Sequence, residues 1–154
     1  MISQPNIKAN PLKVTVYMII LSYIIGDFIL PKYPIIYFFK MIGILGLITS
    51  LFFLFSGFSI FNSYDENPSP NTSSERLIKT GIFAYTRNPI YISFILFHLS
   101  MFLIFENVMY FLSSIGLFVW IHHFVIKKEE EYLTIKFENE YVRYCNSVKR
   151  WLIF

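Results

Sequence analysis

Four long apolar runs organise the chain, separated by two short breaks and one long polar stretch. Residues 14–30 form the first run, with Asp27 its only charge, and Pro31 and Pro34 then mark a turn. Residues 41–61 form the second and contain no ionisable side chain; its helix is expected to begin near Ile35, with Lys40 close to one membrane interface. Residues 90–105 form the third and 108–126 the fourth, with only Glu106-Asn107 between them, which predicts a tight antiparallel helical hairpin. A bilayer core of about 30 Å takes roughly 20 apolar residues as helix, so each run predicts a transmembrane helix. The third is short, and is expected to tilt little or to end in an aqueous cavity.

The polar stretch, residues 62–80, carries Pro68, Pro70 and many Asn and Ser residues and reads as a solvent-facing loop, its first half compatible with a plain linker. Beyond residue 126 the chain is charged again. There Leu133, Phe137, Tyr141, Tyr144 and Val148 recur at spacings of 4, 4, 3 and 4, one face of a helix. Lys127/Glu131 and Lys136/Glu140 form i, i+4 pairs on its polar side. This helix should continue from the fourth span or lie on the membrane surface. No internal repeat is visible. The fold class is therefore all-α: a polytopic membrane helical bundle of about four transmembrane helices plus a C-terminal cytoplasmic amphipathic helix, in one integral membrane domain over residues 1–154.

Composition agrees with that pattern. The chain is 55% hydrophobic, 20% aromatic and 15% charged, against roughly 25% charged residues in soluble domains. A net charge of +3 is too small to argue for nucleic acid, and the basic residues flank apolar runs, as suits an anionic membrane surface. With four spans, one face holds eleven basic residues (Lys8, Lys13, Arg76, Lys79, Arg87, Lys127, Lys128, Lys136, Arg143, Lys149 and Arg150) and the other two, Lys32 and Lys40. By the positive-inside rule both termini, the central loop and the tail are expected in the cytoplasm. The first run lacks a small-x-small cleavage pattern and reads as a retained helix. Short length and the absence of sorting signals point to a prokaryotic inner membrane. A lone cysteine, Cys145, allows no internal disulfide, and no metal-type ligand cluster is present.

Two polar clusters should then meet at the basic face. One is the segment 81–91, with Gly81, Phe83, Arg87, Asn88, Pro89 and Tyr91; the other is Glu129-Glu130-Glu131, with His122 and His123 just before it. Each has a plain structural explanation. Arg87 can anchor a helix end, Asn88-Pro89 can start a helix, the glutamates can be a solvated helix start, and the two histidines can be interfacial polar residues. His98, in mid-run, suits a helix–helix hydrogen bond.

Taken in order, the series is more specific. Gly81, Phe83, Arg87, Pro89 and Tyr91 are followed, after a helical hairpin, by Glu129, Glu130, Leu133, Phe137, Tyr141, Tyr144, Val148 and Arg150. Over residues 75–152 this resembles the isoprenylcysteine carboxyl methyltransferase and phospholipid methyltransferase superfamily of membrane enzymes. The resemblance implies S-adenosylmethionine as cofactor, in a cytoplasmic pocket built by the last two spans, the preceding loop and the C-terminal helix. By resemblance Glu75, Arg76, Leu77, Ile78 and Phe83 line the cofactor on one side. Asn88, Pro89, Ile90 and Tyr91 stand where the family has His-Pro-x-Tyr, and Glu129 and Glu130 match its cofactor-binding glutamate pair. A carboxylate suits the cofactor's ammonium, and the rings of Phe83, Tyr85 and Tyr91 suit a nearby cation.

Three positions depart from the family pattern. Asn88 replaces the usual histidine and can hydrogen-bond but not titrate. Glu138 replaces a glycine after the conserved phenylalanine. Val125 stands where carboxyl methyltransferases place an arginine for the substrate carboxylate; Lys127, Lys128 or Arg87 could take that part. The implied activity is methyl transfer to a lipid or lipidated acceptor, carboxyl or amine, with Arg87 in the catalytic site and His122, His123 or Glu130 as proton acceptor for an amine. The alternatives are a non-catalytic membrane protein retaining the fold, motivated by Asn88 and Val125, and a membrane reductase, for which no Gly-x-Gly-x-x-Gly segment is visible.

Overall fold

The computed structural model describes residues 4, 5, 7–32 and 34–152. Five helices account for most of it: α1 (Pro11–Phe28), α2 (Tyr37–Ser63), α3 (Pro89–Phe105), α4 (Val108–Trp120) and α5 (Lys127–Ser147). A short 3-10 turn, Gly81–Ala84, precedes α3, and a π-helical turn, Ile121–Ile126, joins α4 to α5. No strand occurs among the described residues.

Local chemistry sets the helix ends. Asn10 caps α1, its side chain accepting from the Leu12 amide at 2.9 Å, and Pro11 occupies the first turn, where its missing N–H costs nothing. Asn107 caps α4 through the Met109 amide at 3.0 Å. Between α3 and α4 the chain reverses at Glu106, which stands in the left-handed region at φ 59°. The expected hairpin is present with that two-residue connection.

Three helical stretches are long and apolar enough to cross a membrane: α1, α2 and the continuous Val108–Ser147. The apolar part of the last ends at Ile126, and charged residues follow. At 17 residues α3 is shorter, roughly 26 Å at 1.5 Å per residue, and the reason is at its start, where Pro89 opens the helix at the edge of a cavity.

In space the helices run α2, α3, α4, α1, because α3 packs on α2 and on α4, and α4 on α1. α2 lies close to α3: a methyl at Gly57 would meet Ile90 Cγ1 at 2.6 Å, and Ser50 Oγ donates to the Ser93 carbonyl at 2.9 Å. Small residues of this kind let membrane helices approach where no hydrophobic drive separates helix from lipid. Large apolar side chains of α1 and α2, such as Tyr17, Ile20, Leu45 and Phe52, are exposed, as a lipid-facing surface would be.

The buried core sits at the basic end, where Tyr91, Phe94, Leu117, Ile121, Val125 and Ile126 pack with Ile7 and Trp151. His98 is fully buried, but its Nδ1 pairs with the Phe94 carbonyl of its own helix at 2.8 Å. Among the described residues the expected helix–helix hydrogen bond is not made: Nε2 is buried without a partner, and on α4 the imidazole meets the ring of Tyr110 edge-on, centroids 6.4 Å apart.

The C-terminal helix continues directly from α4, as expected. It is bent at Glu138, whose φ of 45° and ψ of −124° are those of the first central residue of a type II′ turn. Glycine takes that conformation without cost and glutamate does not. The position where the family pattern has glycine is thus the corner at which α5 turns.

Candidate functional site

The corner at Glu138 turns residues 139–147 back towards the bundle, and the chain after them becomes a strap. The Arg87 amide donates to the Lys149 carbonyl at 3.0 Å. Thr86 Oγ1 and Asn88 Nδ2 both donate to the Arg150 carbonyl, at 3.1 and 3.0 Å. Tyr144 Oη donates to the Phe83 carbonyl at 2.7 Å. Trp151 is buried against Phe118 and His122, ring centroids 5.1 and 6.4 Å away. Segment 83–88 is therefore held by the tail on one side and by α3 on the other.

Beside this junction lies a cavity with room for ≈ 130 Å³ of water-sized contents, inside a cleft that opens to solvent. One wall is Phe83, Arg87, Asn88, Pro89, Ile90 and Tyr91; another is Glu129, Glu130, Tyr132, Leu133, Tyr141 and Tyr144. The third is the polar loop, through Asn67–Pro70, Thr72, Ser74 and Arg76–Ile78.

The loop is tied down. Glu66 Oε1 accepts from the amides of Glu75 and Arg76, each at 2.8 Å. The Ser74 amide donates to Tyr132 Oη at 3.2 Å, and Lys79 Nζ meets Glu140 Oε1 at 2.6 Å. The linker reading of its first half does not hold, since residues 67–72 form cavity wall. The sequence signal was Pro68-Ser69-Pro70, a stiff stretch that a plain linker has no need of.

The adjacent glutamates are held differently. Glu130 is gripped by Arg150, whose Nε donates to Oε1 at 2.9 Å and Nη2 to Oε2 at 2.5 Å, and by Arg87 Nη2 at 3.0 Å. This contact raises the Arg150 pKa further above its ordinary value. Glu129 makes no ion pair among the described residues; its Oε1 accepts from Tyr91 Oη at 2.8 Å. Burial in the cavity wall pushes the Glu129 carboxyl up to about 8; the Tyr91 hydrogen bond opposes the shift and neighbouring Glu130 adds to it. Burial likewise raises the Tyr141 and Tyr144 phenols.

Most of the expected site residues meet here: Leu77, Ile78, Phe83, Arg87, Asn88, Pro89, Ile90, Tyr91, Glu129 and Glu130 all line the cavity. Others do not. Glu75 is exposed, and its contact with the loop is through its backbone. Tyr85 is 73% exposed and outside the wall. His122 and His123 are also outside it: His122 packs against both Phe118 and Trp151, and His123 is exposed. Glu130 is poorly suited as a proton acceptor, since two guanidiniums already hold it. Val125 is fully buried in the core and offers nothing to an acceptor. Tyr141 and Tyr144, which the sequence places on one helix face and in the family series without a site role, are wall residues, and so is Tyr132, which it does not single out.

The cavity thus combines a desolvated carboxylate, four tyrosines and an arginine-bound glutamate, a chemistry suited to a partly cationic, partly apolar ligand. Among the described residues no cluster of metal-ligating side chains occurs. A family model described as phospholipid methyltransferase matches residues 38–140, about two thirds of the chain, from α2 to the corner of α5. No curated protein and no solved structure matches the chain.

Proposed function

The chain belongs to the phospholipid methyltransferase family, and from that premise we propose that it transfers a methyl group from S-adenosylmethionine to a lipid or lipid-like acceptor at the cytoplasmic membrane face. The observation that carries this reading is the Glu129–Tyr91 pair in the wall of the cavity. A carboxylate whose charge is disfavoured by burial in the cavity wall gains from any cation brought against it. The cofactor carries an ammonium and a sulfonium. Glu129 would hold the ammonium, and the rings of Phe83, Tyr91, Tyr132, Tyr141 and Tyr144 would face the rest of the positive charge.

When bound, S-adenosylmethionine supplies an electrophilic methyl group on sulfur. The contribution of the protein is alignment and exclusion of water, which suffice for much of the acceleration of an in-line displacement. The tail strap and the bent α5 fix the two walls against each other, and loop 67–78 closes the third side. A carboxylate acceptor needs no base. An amine acceptor has to arrive deprotonated or lose its proton to solvent, because Glu129 would be taken by the ammonium and Glu130 is held by Arg87 and Arg150.

The test is calorimetric titration of detergent-purified protein with S-adenosylmethionine and with NADPH. Binding of the first alone is expected, weakened about 30- to 100-fold by Glu129→Ala, the loss of a charge-assisted contact. Binding of NADPH alone would instead select the reductase. A second reading, a non-catalytic relative, is motivated by Asn88, whose amide is spent on the Arg150 carbonyl. Cofactor binding without transfer of labelled methyl into any lipid extract would favour it.

A further inference from the structure

One side of the cavity is built by a part of the chain that lies before residue 38, where the family match begins. Pro5 lines the cavity together with the loop prolines Pro68 and Pro70. Two residues on, Ile7 is buried in the core cluster that holds Phe94, Leu117 and Trp151. Gln4, Pro5 and Ile7 also share a second gap with Asn71 of the loop. These N-terminal residues thus bridge the core and the polar loop at the edge of the cavity.

The walls are held unequally. Segment 83–88 is tied by the tail, the loop by Glu66 and Tyr132, and the start of α5 by its continuity with α4. Among the described residues Gln4, Pro5 and Ile7 make one hydrogen bond, and it stays within the segment: the Ile7 amide donates to the Pro5 carbonyl at 3.1 Å. What seats them is the burial of Ile7, which is 7% exposed. Two polar atoms oppose that seating. Asn71 Oδ1 at the gap and Trp151 Nε1 in the core cluster are shut off from solvent without a hydrogen-bond partner, a cost that lifting the segment would relieve. One wall has to give for a nucleoside-sized ligand, because the cavity has room for ≈ 130 Å³ and small-molecule sites measure about 300–1,000 Å³.

We propose that Gln4, Pro5 and Ile7 form a flap that lifts to admit the ligand and closes over it, with Pro5 touching the ligand and Ile7 positioning Pro5. Proline has no N–H to satisfy, so its ring offers an apolar face to the uncharged part of the ligand. With S-adenosylmethionine as that ligand, the contact at Pro5 rests on the reading above; the seating by Ile7 does not.

Thiol labelling of detergent-purified Pro5→Cys in a Cys145→Ser background tests the flap. Gln4→Cys is a second reporter should Pro5→Cys not fold, and Tyr85→Cys, outside the wall, is the control. Saturating S-adenosylmethionine should slow labelling at residue 5 by about tenfold, because a bound ligand has roughly 70–90% of its surface covered by its walls. The Tyr85→Cys rate should not move. Adding Ile7→Ala should speed labelling at residue 5 by about tenfold, the scale of most of one buried isoleucine, and should speed release of the cofactor as well. Calorimetric binding of S-adenosylmethionine without protection at residue 5 overturns the flap as a ligand wall. An unchanged labelling rate in the Ile7→Ala variant overturns the seating, whatever the ligand does. Failure of the wild type to bind S-adenosylmethionine would sink the cofactor reading, and the Ile7→Ala comparison would then decide the flap by itself.

Discussion

The two ends of the bundle solve the same electrostatic problem in opposite ways. At the end that holds the α3–α4 hairpin, each acid has its own base. Asp27 pairs with Lys32 and Glu106 with Lys40, both at 2.7 Å. Glu106 also accepts from the Ile35 amide at 3.1 Å. Lys40 holds the Glu106 carboxyl below its usual range, and the Asp27 hydrogen bond raises Lys32. Asn107 is buried there against α1, its amide donating to the Ser22 carbonyl at 3.1 Å. A methyl at Gly26 would lie 1.8 Å from its Oδ1, so only glycine admits the contact. At the basic end the count is uneven among the described residues: Glu130 has two guanidiniums, and Glu129 is held by the Tyr91 hydroxyl. Matched charges close an end of a bundle, and unmatched ones beside a cavity leave it capable of binding.

The largest expected effect falls on the closed end. Asn107→Ala removes a helix cap and the contact with α1 and should cost about 2–3 kcal/mol of stability. In a thermal unfolding scan in detergent it should lower the midpoint by several degrees, yet leave cofactor affinity within twofold. A large loss of affinity in folded protein would show that the ends are coupled and break the comparison.

The next effect belongs to the basic end alone. Burial in the cavity wall raises the Glu129 carboxyl to about 8. A cationic ligand requires its ionised form, so affinity should rise with pH up to about 8 and fall by nearly tenfold per unit below it. The stability of the empty protein runs the other way: a folded-state pKa that is raised favours folding at low pH, and that contribution is lost as pH rises through about 8. Calorimetry between pH 6.5 and 8.5, with Glu129→Gln as the flat control, checks the sign.

The smallest effect sharpens the picture of the strap. Glu138→Gly should relieve the positive-φ corner and stabilise the protein by about 1 kcal/mol. That corresponds to a rise of roughly 2–4 °C in the unfolding midpoint, with no loss of cofactor affinity. A decrease in stability would mean that the corner is held by the glutamate itself.

Sequence alone determined the helices and their number, because the demand of a bilayer for some 20 apolar residues is a property of composition along a line. It also marked the Arg87–Tyr91 segment and the glutamate pair, since their order and spacing survive without coordinates. Tertiary structure decided which glutamate meets the guanidiniums. Consecutive residues on a helix point about 100° apart, and the π turn at Ile121–Ile126 sets which direction each takes, so Glu129 meets Tyr91 while Glu130 meets Arg87 and Arg150. The same register leaves His122 and His123 outside the cavity wall. Loop 67–72 and the strap at Val148–Trp151 enter the site through hydrogen bonds between segments some 60 residues apart, such as those of Ser74 with Tyr132 and Asn88 with Arg150. Contacts of that range leave no periodic trace in a sequence; only the folded chain brings their partners together.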